Sequence, residues 1–377
     1  MTTLIILGEY MQRLKSFVKT NVVMLIAALA ATVTSVIIPP DKEYIGYFDF
    51  KTLACLFSVL AVVCALRNIR FFYTLAKAII RRFRNAKICI LALVYITFIG
   101  SMLIANDMAL LTFLPLGYFI LHATGKEKYM AFTFIMQNIA ANLGGMLTPF
   151  GNPQNLYLYT KFNIPDLEFV SIMLIPFIVS MALITFFCLV LVKSEPLEIE
   201  ERAASLPIMR TVVYLLLFAL SILIVFRAIP YYVGLIVILV SLLFLDRLAL
   251  CQVDYGLLFT FVFFFIFSGN MARIGVVRDF LSMLLEKNTL VFSALSCQFI
   301  SNVPSAILLS QFTDNYRSLL LGVNIGGVGT MISSLASLIT FREYSKQSPG
   351  HTAMYILKFS IFNFAFLGIL ILVCSVI

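Results

Sequence analysis

Charge is what this chain has least of. Only 12% of its 377 residues are Asp, Glu, Lys or Arg, while 62% are hydrophobic, against roughly 25% and 45–50% in soluble domains. So little charge cannot cover a globular surface, which excludes a soluble protein. Strand-like alternation of polar and apolar residues is also missing, and its absence excludes a membrane barrel. What is there instead are apolar runs at 20–38, 169–192, 210–226 and 351–376, close to the ~20 residues that cross a bilayer as a helix. The fold class that follows is an all-α polytopic membrane protein.

The vocabulary of catalysis is equally sparse. There are two histidines, His122 and His351, both at expected cytoplasmic helix ends and neither placed to activate a serine. HExxH and GxSxG are missing, which argues against an intramembrane hydrolase. GxxxxGK[ST] is missing too, so no ATP-driven step is expected within this chain. The seven cysteines (55, 64, 89, 188, 251, 297 and 374) stand singly, without CxxC or metal-ligand spacing, and read as small apolar fillers with no disulfides. No cofactor is expected.

The net charge of +9 does not point to nucleic acid, because of where the basic residues lie. Arg67, Arg70, Lys77, Arg81, Arg82, Arg84 and Lys87 crowd into one loop with no acid among them, which the positive-inside rule makes cytoplasmic. Phe71, Phe72, Leu75, Ile79, Ile80 and Phe83 recur there at helical spacing, as in a segment lying along anionic lipid. Arg13, Lys15 and Lys19 precede the first apolar run, which lacks a cleavage site and reads as a retained helix with a cytoplasmic N-terminus.

From that start the chain can be traced across the bilayer. Helices at 20–38 and 50–66 lead to the basic loop. A hairpin at 88–121 enters from the cytoplasm and turns at Asn106, because two arms of about 15 residues are each too short to cross. A broken helix at 129–159 and a helix at 169–192 complete the first half, residues 1–192. A cytoplasmic linker, 193–209, leads to the second half, 210–377. That half has helices at 210–227, 231–247 and 255–270, a hairpin entering from outside at 289–313, a broken helix at 316–342 and a last helix at 351–376. This gives about nine transmembrane helices, with 18 of the 27 basic residues on cytoplasmic segments. "FDF" at 48–50 and "VDY" at 253–255 precede the two hairpins, so the halves match with opposite direction, as in inverted-repeat transporters.

The broken helices carry one motif twice. "ANLGGMLT" at 141–148 and "VNIGGVGT" at 323–330 both read Asn-x-Gly-Gly-x-x-Thr. A break in a membrane helix is tolerated only where it lines a cavity or is buried in protein. Gly144, Gly145, Gly326 and Gly327 free the backbone and permit close approach by a hairpin, and small-residue packing alone is the competing use of such glycines. The matched spacing, Pro149 and Pro153 in one break, and a polar hairpin tip ahead of each motif favour a binding site. Its candidate residues are Asn106, Asp107, Asn142, Gly145, Thr148, Gly151, Asn152 and Asn155 in the first half. In the second they are Ser301, Asn302, Asn324, Gly327, Thr330, Ser333 and Ser334. Freed carbonyls with Asn106, Asn142, Thr148, Asn302, Asn324 and Thr330 suit Na⁺, while half-helix N-termini suit an anion.

Asp107 is the only carboxylate expected deep in the membrane, where charge is expensive and therefore functional by default. It is a proton or cation exchange site, an N-cap of the returning hairpin arm, or both. Lys358 reads as a snorkelling residue, and Arg273 and Arg278 as a solvated face.

"ANDMALLTFLP", "ANLGGMLTPFGNPQN", "SNVPSAILL" and "GVNIGGVGTMISSLASL" resemble the arsenite-efflux and citrate-permease branch of the ion transporter superfamily, which also contains the divalent anion/sodium symporters. The resemblance covers about 48–192 and 231–376, and is closest to small inner-membrane permeases of unsettled substrate. It implies a multi-pass protein of a bacterial-type inner membrane. It also implies a homodimer whose transport parts move against scaffold parts as elevators. Asn106 and Asn302 match the asparagine of the symporters' Ser-Asn-Thr tips. Ala105, Asp107 and Val303 depart from it, which counts against dicarboxylates, and the Asn-Asp pair is similar to that of the arsenite-efflux proteins, where proton coupling is expected. The function expected is secondary transport of a small anion or oxyanion coupled to Na⁺ or H⁺. A sodium/proton antiporter on the same fold is the alternative.

Overall fold

The computed structural model of the chain describes residues 21–80, 82–197 and 206–376. Arg13, Lys15 and Lys19, on which the N-terminal orientation rests, lie outside the described residues, as do Arg81 and residues 198–205 of the expected linker.

Among the described residues the regular structure is helical, apart from one isolated bridge between Asn85 and Pro196. In chain order come α1 (Val22–Ile37), α2 (Phe50–Asn68), α3 (Phe71–Ile80), α4 (Ala86–Ile104), α5 (Asn106–Ala123), α6 (Met130–Gly144), α7 (Pro153–Lys161) and α8 (Asp166–Leu191). Then follow α9 (Ile208–Val225), α10 (Tyr231–Leu245), α11 (Arg247–Cys251), α12 (Tyr255–Arg273), α13 (Gly275–Ile300), α14 (Asn302–Leu309), α15 (Tyr316–Ile325), α16 (Leu335–Gln347) and α17 (Thr352–Val376).

By length and composition α2, α4, α8, α9, α12 and α17 could each cross a membrane. Their outward faces fit that solvent: Ile178, Phe186 and Val190 of α8 and Leu357, Ile361 and Leu372 of α17 are exposed. In water such a surface would be an aggregation liability, and in lipid it is the ordinary exterior.

The first hairpin is α4 and α5, joined through one residue. Its arms are 19 and 18 residues long, not the expected 15, because the helices run on through Ala86 and through His122 and Ala123, polar or weakly apolar ends that a hydropathy count discards. The turn also lies at Ala105 and not at Asn106, which is the first residue of α5. In the second hairpin only Ser301 leaves the helix. Pro304 stands in the first turn of α14, where its missing N–H removes no helical bond. The arm before it begins at Gly275 and bends at Asn288, near the expected start of the hairpin.

Both broken helices are present. The first runs α6, a 3₁₀ turn at Gly145–Leu147, an extended Thr148, then α7. The second runs α15, a stretch without helix at 326–334, then α16. Asp49 and Asp254, the pair that marked corresponding points in the sequence, are N-caps: each accepts at 2.9 Å from the backbone N–H three residues on, Thr52 and Leu257.

The packing pairs the parts in the same way in both halves. α4 lies against α5 and α6, and α13 against α14 and α15. Across the chain α5 packs on α16 and α14 packs on α7, so each returning hairpin arm meets the second half of the other broken helix. A Cβ at Gly144 would collide with the Phe98 carbonyl of α4, and one at Gly322 would lie 2.6 Å from the Leu290 carbonyl of α13. These glycines let each broken helix touch its hairpin.

One expectation outside the site changes. The basic segment forms α3, but Phe72, Ala76 and Ile80 are buried against protein, leaving Leu75 and Ile79 exposed. Arg273 is exposed, as expected, and also binds Asp41 at 2.7 Å, Tyr47 Oη at 3.1 Å and Glu43 at 3.4 Å, tying the 41–47 loop to the end of α12. Arg278 is exposed, as expected. The seven cysteines are free thiols, six buried and Cys251 exposed.

Candidate functional site

The two hairpin tips share a rare backbone. Ala105 has φ 65°, ψ 152° and Ser301 has φ 74°, ψ 159°, a region that glycine tolerates and other residues enter at a cost of about 1–3 kcal/mol. The same bonds hold each tip. Asn106 Oδ1 accepts from the Asp107 N–H and Asn302 Oδ1 from the Val303 N–H, both at 2.9 Å. Thr148 Oγ1 donates to the Met102 carbonyl (2.8 Å) and Thr330 Oγ1 to the Gln298 carbonyl (3.0 Å). Each motif threonine thus reaches the third residue ahead of its strained tip.

Behind the tips the candidate asparagines form a network linking the two motifs. Asn106 Nδ2 donates to Asn142 Oδ1 at 3.1 Å, and Asn152 Nδ2 donates to the Asn142 carbonyl at 3.3 Å and to Asn324 Oδ1 at 3.4 Å. Asn324 Nδ2 donates to Asn155 Oδ1 at 2.6 Å. Asn155 Nδ2 lies 3.2 Å from each of the Gly145, Met146 and Thr148 carbonyls freed by the break. In the other motif Gln298 does this work from the hairpin, donating to the Gly326 and Val328 carbonyls at 2.9 and 3.2 Å. Asn302 and Asn142 both face Gly327, whose Cβ would lie 3.2 Å from Asn302 Nδ2 and 3.5 Å from Asn142 Oδ1.

Burial is nearly complete: Asn106 and Asn302 are 3% exposed, Asn324 1% and Asn155 0%. Polar groups at that depth are costly unless paired, so the network fixes how hairpins and broken helices fit. Gly145 approaches Asn152 closely and Gly151 approaches Gly145 and Thr148. Ser333 Oγ donates to the Gly327 carbonyl at 2.9 Å, and the Ser333 carbonyl accepts from the Asn302 N–H at 2.9 Å.

A small cleft, with a cavity volume of about 70 Å³, opens onto this network. Asn106 and Asp107 of α5, Pro153 and Gln154 of α7, Ser301 and Asn302 beside α14, and Ser334 and Leu335 of α16 line it. All stand at helix N-termini. Asp107 is not the N-cap of its helix: it sits in the first turn, and its Oδ1 is buried without a hydrogen-bond partner among the described residues. Thr148, Thr330, Asn142, Asn155 and Asn324 lie behind the cleft wall and not on it. Lys358, exposed on α17, is not part of the lining.

The profile of the citrate transporter family matches residues 3–316. The chain belongs to that family. It is a multi-pass membrane transporter and not an enzyme. Among its relatives, the uncharacterized transporter MJ0456 of Methanocaldococcus jannaschii is 33% identical over 308 residues, which are 80% of this chain and 82% of that one. The inner membrane protein YbiR of Escherichia coli K12 is 25% identical over 308 residues, with the same coverage.

Sequence reasoning missed Gln298, Gln154 and Asp254 as parts of the site. Gln298 lies three residues before Ser301, where Met102 precedes Ala105, so matching the hairpins gave no polar counterpart. Gln154 was inside the quoted break but shares no motif position. Asp254 served only as a marker of correspondence, and the cleft shows it lining the wall.

Proposed function

We propose that the protein is a secondary active transporter of a small anion or oxyanion, coupled to Na⁺ or H⁺. The observation that carries the proposal is the convergence of four helix N-termini, those of α5, α7, α14 and α16, on one cleft with both tip asparagines. The dipoles of these helices favour negative charge there. Carboxylates such as citrate, after which the family is named, and tetrahedral or pyramidal oxyanions belong to the class such a site suits.

Residues 1–192 and 210–377 act in this reading as two inverted repeats. The exchanged packing of hairpin arms and broken helices supports it, since each half then completes the other's site. The hairpins are re-entrant in this reading, not because their arms are short but because both tips, at Asn106 and Asn302, meet at one cleft; the N-terminus is cytoplasmic in an inner membrane, and two copies form a dimer in which the hairpins and broken helices move as elevators. Na⁺, if it is the coupling ion, enters at this cleft, where Asn106 and Asn302 alone of the six residues expected to hold it line the wall, with Asn142, Thr148, Asn324 and Thr330 behind them. Sodium/proton antiport is the second reading, favoured by the two carboxylates, Asp107 and Asp254, on the cleft wall.

The test is the Tm of detergent-purified protein against citrate, other carboxylates, sulfate, phosphate and arsenite, in Na⁺ and in K⁺. A ligand that binds only the folded state raises it. At least one anion is expected to stabilise the wild type and not the Asn106→Ala/Asn302→Ala variant. A panel that moves neither, or moves both alike, contradicts the site.

A further inference from the structure

The cleft that gathers helix N-termini also carries negative charge. Asp107 and Asp254 both line it, and no lysine, arginine or histidine is among its lining residues. Helix capping accounts for only part of this. Asp254 Oδ1 caps α12 by accepting from the Leu257 N–H at 2.9 Å, but asparagine or serine would cap as well. Asp107 caps nothing through its side chain.

A third group points the same way. Gln154 is 1% exposed and lines the cleft, and its Nε2 donates to Asn324 Oδ1 at 3.4 Å, while its Oε1 has no hydrogen-bond partner among the described residues. Asp107 Oδ1 shares that condition. Buried acceptors without donors are destabilising where they stand, and an oxygen-seeking cation satisfies several of them together.

We infer that Asp107, Asp254 and the Gln154 carbonyl form a binding site for a sodium-sized cation in the cleft. This deepens, and rests on, the reading of the cleft as the transport site. Its new element is Asp254, contributed by α12, which belongs to neither a hairpin nor a broken helix. An anion at the helix N-termini and a cation at the carboxylates offset each other's charge, so each favours entry of the other. The cation is thereby a co-ligand of the solute, and α12 takes part in binding it.

The test is thermal unfolding of the purified full chain titrated with NaCl, choline chloride keeping ionic strength constant, with no added solute. Wild type is expected to gain Tm with Na⁺ and not with choline. In Asp254→Asn, which keeps the helix cap and removes the charge, the half-saturating Na⁺ concentration is expected to rise at least tenfold. Asp254→Ser, which also caps, replaces it if the asparagine variant is poorly folded. Gln154→Leu should weaken Na⁺ with both carboxylates in place. A wild-type Tm indifferent to Na⁺, or Asp254 variants that titrate like wild type, overturns the inference. That failure leaves the transport reading standing, because anion stabilisation and its loss in the Asn106/Asn302 variant are measured separately.

Discussion

Ala105 and Ser301 are the residues whose conformation most needs explaining. Each holds a backbone shape costing about 1–3 kcal/mol, and each precedes the asparagine that enters the site. Strain at both tips persists because the threonine bonds to Met102 and Gln298 and the asparagine bonds behind them over-determine the turn. Valine in place of either residue adds a β-branched clash at positive φ and should lower stability by a further ~1–3 kcal/mol. Glycine at 105 should leave the Tm within a few degrees of wild type. A denaturation series on the three variants checks this, and equal stability for valine and glycine would show that the tips are not strained. Asn324 is the other single point of dependence. Its removal orphans Asn155 Oδ1 and takes an acceptor from the side-chain amides of Asn152 and Gln154, so Asn324→Leu should cost ~1–3 kcal/mol and abolish ligand-induced stabilisation in the same thermal assay.

Hairpins and broken helices are elements that the sequence made legible to different degrees. The doubled Asn-x-Gly-Gly-x-x-Thr located both breaks, and their ends fall within five residues of expectation at 161 and 347. Hairpin geometry was less accessible. Which residue turns depends on a single φ value that Ala and Ser do not advertise, whereas glycine would have. Gln298 was hidden for a related reason: it replaces, from another element, bonds that Asn155 makes within its own break. Close packing of each hairpin on its broken helix makes an element-scale prediction. Gly144→Leu and Gly326→Leu fill motif-equivalent contacts, with the Phe98 carbonyl of α4 and with Ala294 of α13, and overpacking of this kind costs ~1–3 kcal/mol or more. Both should lower the Tm, and a neutral result at either would separate the two halves.

At the scale of the whole molecule the composition was decisive for class, and the apolar exteriors of α8 and α17 show why. What composition could not place was the join between the halves. Glu195, at the start of the linker, accepts from Lys126 at 2.7 Å, Lys128 at 2.6 Å and Tyr129 at 2.9 Å. Those bonds hold its carboxyl well below the usual range, at about 2. A carboxylate depressed in the folded state contributes stability above its unfolded value, 4.5, that is lost as pH falls toward 2. Acidification through that window should therefore lower the Tm of wild type more than that of Glu195→Gln, and identical pH profiles would show that the clamp carries no stability.

A transporter whose site is this cleft passes its solute through it. The measurement is solute uptake into proteoliposomes under an imposed Na⁺ or H⁺ gradient, for wild type and for the Asn106→Ala/Asn302→Ala variant purified as a folded protein. Gradient-driven uptake of a small anion by wild type, lost in the variant, is the predicted result. Wild-type flux in the variant would contradict the assignment of the site.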